Sequence, residues 1–182
     1  MRVLAISGSL RLASVNSALL RAAARVAPSG IEVYVYSDMR NLPLFNPDLE
    51  PVVPLEVKSL RDQVLMSEAL IFASPEYAHG ISGVVKNALD WLVSFESFYG
   101  KPVAVFSASP RSSHADPALR ETLQTMGASI VNEASFSSQL VGANLCEMDM
   151  VTSPIISGEL RTSLRALQSF QRSNAASRLS RG

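Results

Sequence analysis

The sequence predicts one doubly wound α/β domain, a parallel sheet with helices on both faces. Strand-like and helix-like segments alternate about five times along the 182 residues. The first, third and fourth strand segments, RVLAI (2–6), ALIFAS (69–74) and PVAVFSA (102–108), are nearly continuous apolar runs. Strands covered on both faces read this way.

RVLAI opens the chain as a short buried strand. Helical spacing follows over 15–27, where Val15, Leu19, Ala22, Ala23 and Val26 share a face and Ser14 precedes them as N-cap. Pro28 and Gly30 punctuate. IEVYVY (31–36), rich in β-branched and aromatic residues, is the second strand. Residues 37–54 carry Pro43, Pro47, Pro51 and Pro54 and form a long irregular connection inside the domain, of the kind that often serves function. A helix over 55–66 leads to the third strand. The loop SPEYAHGISG (74–83) then leads to the clearest helix, VVKNALDWLVSF (84–95). Its apolar face holds Val84, Val85, Ala88, Leu89, Trp91, Leu92 and Phe95. Core packing accounts for Trp91; surplus apolar surface with Phe98 and Tyr99 would mark a subunit interface.

Gly100 and Pro102 introduce the fourth strand. SPRSSHADP (109–117) is a loop, ALRETLQTMG (118–127) a helix closed by Gly127, ASIVNEA (128–134) the fifth strand, and 157–171 the last helix. RSNAASRLSRG lacks an apolar face and predicts fraying. The domain is expected over 1–175, with a disordered tail at 176–182.

Composition narrows the function. The hydrophobic share is 47% and the charged share 18%, with 16 basic and 16 acidic residues and zero formal net charge. That argues against nucleic-acid binding through overall positive charge. The lone cysteine, Cys146, excludes an internal disulfide or a multi-cysteine metal site, and is expected to act as a buried or half-buried small hydrophobe. His79 and His114 show no HxxxH or HExxH spacing, which speaks against catalytic zinc, and no metal ligand is assigned. No apolar run approaches the roughly 20 residues that span a bilayer, and the first apolar stretch is too short for a secretory signal. A cytoplasmic protein with no membrane partner is expected.

The stretch GSLRLASVN (8–16) falls just beyond the carboxyl end of the first strand, where ligands of such sheets bind. A helix N-terminus there offers N–H groups and partial positive charge to an anion. Ser9, Ser14, Asn16 and Ser17 add hydrogen-bonding groups, and Arg11 adds a charged planar fork suited to phosphate oxygens. The alternative is a turn at Ser7–Ser9 with Ser14 only capping the helix. The loop lacks both GxxxxGK[ST] and GxGxxG, so a terminal phosphate monoester fits better than a triphosphate or a dinucleotide. SPEYAHGISG lines the same edge, and a flat heteroaromatic ring can lie against its backbone and Tyr77. In SPRSSHADP, Arg111 is a candidate contact for an anionic ligand or cofactor and His114 for a substrate, while Ser113 or Asp116 is placed to start the next helix.

GSLRLASVN together with PEYAHGISGVVKNALDW (75–91) resembles the NADPH-dependent FMN reductase family, which includes flavodoxin-like quinone, azo-dye and chromate reductases. The resemblance spans roughly residues 1–150. It implies a flavodoxin-like, five-stranded three-layer sandwich with strand order 2-1-3-4-5, bound FMN, and NADPH or NADH as co-substrate. By the same resemblance, Ser9, Arg11, Asn16 and Ser17 hold the FMN phosphate, while Pro75, Glu76 and Tyr77 lie along the isoalloxazine; Ser14, Ala78, Ser109 and Arg111 are counted with them as candidate cofactor-binding residues. A homodimer or homotetramer through the helix 84–95 and a small-molecule acceptor are also implied. Three positions depart from the family pattern: Ala78 replaces the usual Asn, Ser82 the usual Pro, and the loop 109–113 has no glycine.

The reading is an oxidoreductase passing hydride from NAD(P)H through FMN to a quinone, free flavin, azo dye or metal oxyanion. The chemistry belongs to the flavin, so no side-chain acid or base is assigned. Two alternatives stay open. One is a flavodoxin-type electron carrier, although such shuttles are usually strongly acidic. The other is a non-catalytic phosphate-ligand protein, favoured by the glycine-free loop.

Overall fold

The computed structural model describes the backbone of residues 1–109, 113–142 and 145–179, with side chains through 176. In chain order the elements are β1 (Arg2–Ser7), α1 (Val15–Val26), β2 (Glu32–Val35), α2 (Leu55–Met66), β3 (Ala69–Ala73), β4 (Glu76–Tyr77), β5 (Gly80–Ile81), α3 (Gly83–Leu92), β6 (Pro102–Ser107), α4 (Ala115–Thr125), β7 (Ser129–Ile130), β8 (Phe136–Ser137), α5 (Glu147–Thr152) and α6 (Pro154–Leu179).

The main sheet runs β2-β1-β3-β6-β7 with parallel pairing, so the expected 2-1-3-4-5 order is observed, β6 and β7 being the fourth and fifth main strands. Alternation along each strand divides the core. Leu4, Ile6, Leu70, Phe72, Val103 and Val105 face α2, α3 and α4. Val3, Ala5, Ile71 and Ala104 face α1, α5 and α6. Each large side chain fully buried here contributes about 1.5–3 kcal/mol. Small residues dominate where α1 lies on the sheet: Ala18, Ala22 and Ala23 meet Ala5, Ala69 and Ala73. The backbone of α1 can therefore approach closely and carry its N-terminus to the carboxyl edge.

Several boundaries differ from expectation, each for a local reason. The predicted strand 128–134 is two pieces. β7 ends at Ile130, a 3-10 turn occupies Asn132–Ala134, and β8 resumes the pairing with β6 at Phe106↔Phe136. Between them Ser135 Oγ accepts from Val105 N at 3.2 Å, substituting for a ladder carbonyl. α4 begins at Ala115, earlier than expected, because Pro117 sits in its first turn, where no intrahelical N–H is required. α5 was not foreseen. Its N-cap is Cys146, which forms a reciprocal capping box with Asp149 (Cys146 N to Asp149 Oδ2, 2.8 Å). Cys146 is thus exposed rather than buried. α6 runs to Leu179, eight residues beyond the expected 171 and into the stretch expected as tail.

The long connection 37–54 is ordered by α3. Asn87 accepts from Phe45 N at 2.8 Å and donates to Pro43 O at 2.9 Å; Trp91 Nε1 donates to the same carbonyl at 2.8 Å. Trp91 is fully buried, with Phe45 edge-on at 5.0 Å, as expected of a core residue. Arg61 closes the lower part of the connection, with Nη2 meeting Glu50, Trp91 O and Ser94. Asn87 and Trp91, prominent in the KNALDW motif, therefore serve as a loop clamp.

Candidate functional site

β1, β3 and β6 each run into a serine at the carboxyl edge: Ser7, Ser74 and Ser107. Parallel pairing sets Ser74 level with Ser107, and Ser7 one residue earlier, opposite Ala73. Beside them lies a cavity of about 270 Å³ lined by Asn16, Ser74, Pro75, Glu76, Ser107, Ala108, Ser109 and Val141. That volume is near the small end for ligand sites. A larger space of about 630 Å³ lies between the amino ends of β3 and β6, lined by Ser67, Glu68, Lys101 and Gln171 among others. Ligands of doubly wound sheets bind at the opposite edge, so the smaller cavity is the candidate.

The loop after β1 is held by its own polar groups. Gly8 N donates to Ala73 O at 2.7 Å, extending the β1–β3 ladder. Ser7 and Ser17 hydroxyls pair at 2.7 Å in the interior, and Ser9 N donates to Ser7 Oγ at 3.2 Å. Ser14 caps α1, accepting from Ser17 N at 3.3 Å. Ser14 and Ser17 are both buried, and these contacts engage their hydroxyls in shaping the turn. Ser9, Arg11 and Ser17 line a neighbouring cleft of about 360 Å³ with Arg21 and Arg40, whereas Asn16 lines the cavity. Arg11 is exposed and has no ion-pair partner among the described residues.

The PEY segment forms a miniature hairpin, β4 against β5, with Ala78 (φ 49°) and His79 (φ 58°) at its two-residue tip. Two left-handed residues in succession are the signature of a type I′ turn, which favours Asn-Gly. Asn at 78 would suit this backbone better than alanine, quite apart from any ligand contact. Tyr77 is half-exposed and outside the cavity lining; Pro75, Glu76 and Ser109 are in it. Arg111, with Pro110 and Ser112, lies outside the described residues.

Glu76 has a clear structural task. His114 is the N-cap residue of α4, yet its side chain caps nothing. Glu76 Oε2 instead accepts from His114 N and Ala115 N, each at 3.0 Å. A carboxylate from another loop thereby supplies the cap and meets the positive end of the helix. The second and third loops are locked together. His79 and His114 are stacked with ring centroids 4.2 Å apart and planes within 4°, and His114 Nδ1 lies 3.4 Å from Glu76 Oε1. Neither Ser113 nor Asp116 caps α4. Sequence reasoning also missed Ser74, Ser107, Ala108 and Val141. The first two had a readable signal, a hydroxyl residue at the carboxyl end of an apolar run.

Away from the cavity, Arg21 and Arg25 of α1 bind Glu147 of α5, Arg21 Nε at 2.7 Å. Burial pushes the Glu147 carboxyl up, but the hydrogen bonds and charges of the two arginines outweigh it and hold it below the usual range. No helix of the described residues is long and apolar enough to cross a membrane.

Residues 1–141 match the model of the family of NADPH-dependent FMN reductases. An NAD(P)H-dependent FMN reductase of Pseudomonas aeruginosa is 40% identical over 128 residues, covering 67% of this chain and 69% of that one. A quinone reductase of Escherichia coli is 28% identical over 148 residues, covering 78% and 79%. The solved structure of FerB, a flavoenzyme NAD(P)H:(acceptor) oxidoreductase from Paracoccus denitrificans, superposes with a TM-score of 0.77 at 26% identity. It covers 92% of this chain and 97% of that one.

Proposed function

The chain belongs to the NADPH-dependent FMN reductase family, and from that premise we propose that it passes hydride from a reduced nicotinamide, by way of FMN, to a small acceptor such as a quinone. One observation carries the reading: the first turn of α1, through Asn16, and the loops after β3 and β6 line one cavity at the carboxyl edge of the sheet, with the loop after β1 lining the cleft beside it. The residues there fit FMN. The start of α1, Ser9 and the charge of Arg11 suit a phosphate monoester. Asn16, Pro75 and Ser109 line space for a ribityl chain and one edge of a flat ring, with Glu76, Tyr77 and Ala78 in the adjoining hairpin. Bound FMN supplies the centre that takes up and gives up hydride.

The chain's own contribution is binding and orientation. Ser14 and Ser17 keep the first loop in a shape that presents its amides. Glu76 fixes the hairpin to α4, setting the width of the opening through which nicotinamide and acceptor take turns. Either NADPH or NADH serves this chemistry. We place contact between copies of the chain on the side of α3, where Leu44, Val52 and Val93 are exposed. Sedimentation of the purified protein tests for the dimer or tetramer. A visible spectrum, FMN titration and steady-state NAD(P)H oxidation with a quinone test the activity. Micromolar FMN uptake and turnover are expected; absence of FMN uptake overturns the proposal, and uptake without turnover leaves an electron carrier.

A further inference from the structure

We propose that Glu76, His79 and His114 form a site for one divalent transition-metal ion, of the zinc or cobalt kind, at the lip of the cavity. One ligand atom from each residue lies within 4.8 Å of those of the other two. The chain gives no local hint of this, because the histidines come from different loops and only the fold stacks them.

The donor set suits the ion. Two imidazoles and one carboxylate favour zinc and its neighbours over calcium or magnesium, which prefer more oxygens. Tetrahedral bonds of roughly 2.0–2.1 Å place ligand atoms about 3.3 Å apart. Glu76 Oε1 and His114 Nδ1 already stand at 3.4 Å. His79 closes the remainder by turning its ring out of the stack, a movement of at most about 1.5 Å for this geometry. A metal bond at His114 Nδ1 replaces the 3.0 Å contact of that nitrogen with Ser113 Oγ; a water completes the coordination.

The surroundings are those of a supported site. Glu76 Oε2 is held by the amides of His114 and Ala115, turning Oε1 toward the imidazole. His79 stands at φ 58°, in a turn position where glycine is favoured. A histidine there carries backbone strain that a side-chain contact must offset, and strain of this kind clusters at ligand clamps. Occupied, the site would staple the β4–β5 hairpin to the start of α4 and narrow the opening. That effect on turnover rests on the flavin reading, so the test measures the metal directly.

The tag-free full-length protein, with its FMN and freed of metal by a chelator, is titrated with Zn²⁺ by calorimetry and with Co²⁺ by visible absorption. One ion per chain is expected at micromolar affinity, with tetrahedral Co²⁺ bands to the red of the flavin absorption. His79→Gly removes a ligand and relieves the turn. It is expected to keep or raise the thermal midpoint while weakening Zn²⁺ at least tenfold. His114→Ala is expected to weaken it similarly, and Cys146→Ser, a control for the exposed thiol, to leave it unchanged. Binding only at millimolar metal, affinity retained in His79→Gly, or affinity lost in Cys146→Ser overturns the proposal, whether or not FMN binds.

Discussion

Gly8→Ala probes how tightly the first loop is built against its neighbours. Gly8 is not among the residues with positive φ, so alanine meets no backbone penalty there. The obstacle is space. A Cβ would come within 2.6 Å of Ser82 Oγ, 2.7 Å of Val85 Cγ2 and 3.2 Å of Pro75 Cδ. Ser82 and Val85 are buried at the start of α3, and Ser82 Oγ caps that helix by accepting from Val85 N at 3.2 Å. Overpacking of this kind costs about 1–3 kcal/mol, and displacing the cap adds about 1 kcal/mol. A total of about 2–4 kcal/mol would lower Tm by roughly 4–16 °C in a domain of this size. Thermal and urea unfolding of the parent, Gly8→Ala, Ser82→Ala and the double variant reads it. Ser82→Ala alone is expected to cost about 1 kcal/mol through the lost cap. In the Gly8→Ala background it should cost nothing or restore stability, because the colliding hydroxyl is gone. A Gly8→Ala protein within about 0.5 kcal/mol of its parent, or two penalties that simply add, would refute this account of the loop.

Arg11→Ala should weaken FMN by on the order of 1.5–3 kcal/mol, the worth of one charge-assisted contact, without changing the stability of the FMN-free protein, because Arg11 has no ion pair among the described residues to lose; fluorescence quenching of FMN and a melt of the apoprotein check both. Ala78→Gly should stabilise the protein by about 0.5–1 kcal/mol by relieving a left-handed alanine, read by urea unfolding. Glu147→Gln should cost about 1 kcal/mol near pH 7, where two arginines lose their charged partner. Because the folded carboxyl titrates below its unfolded value, the stabilisation is present above that unfolded value, about 4.3, and is lost as pH falls through the folded one. Urea unfolding at a series of pH values should therefore show parent and variant converging in acid.

The parts of the fold set by burial on both faces were legible. β1, β3 and β6 read as apolar runs because helices cover both sides, and α3 read from its broad apolar face. What escaped depended on partners distant in sequence. The start of α4 has no cap of its own, so nothing local marked Ala115; the cap is Glu76, in the hairpin that follows β3. The edge strand reads as continuous from 128 to 134 because Ile130 and Val131 carry strand character, while the turn at Asn132–Ala134 is tied down by Ser135. α5 is a single short helix whose N-cap is a cysteine, outside the usual Ser, Thr, Asp and Asn. The first loop was placed correctly at the carboxyl edge. Its division of labour was not legible, since the Ser7–Ser17 pair and the Ser14 cap exist only once α1 lies against β1.

The interrupted margin at β7 and β8 has a consequence for behaviour at high concentration. An uninterrupted border strand is a template onto which another polypeptide can add, the first step toward fibrils. Here one border offers two residues, a turn, then two more. The opposite border, β2, is four residues long and carries the exposed Glu32. Neither gives an incoming strand a long enough row of amides and carbonyls, so the sheet resists templated growth by its geometry alone.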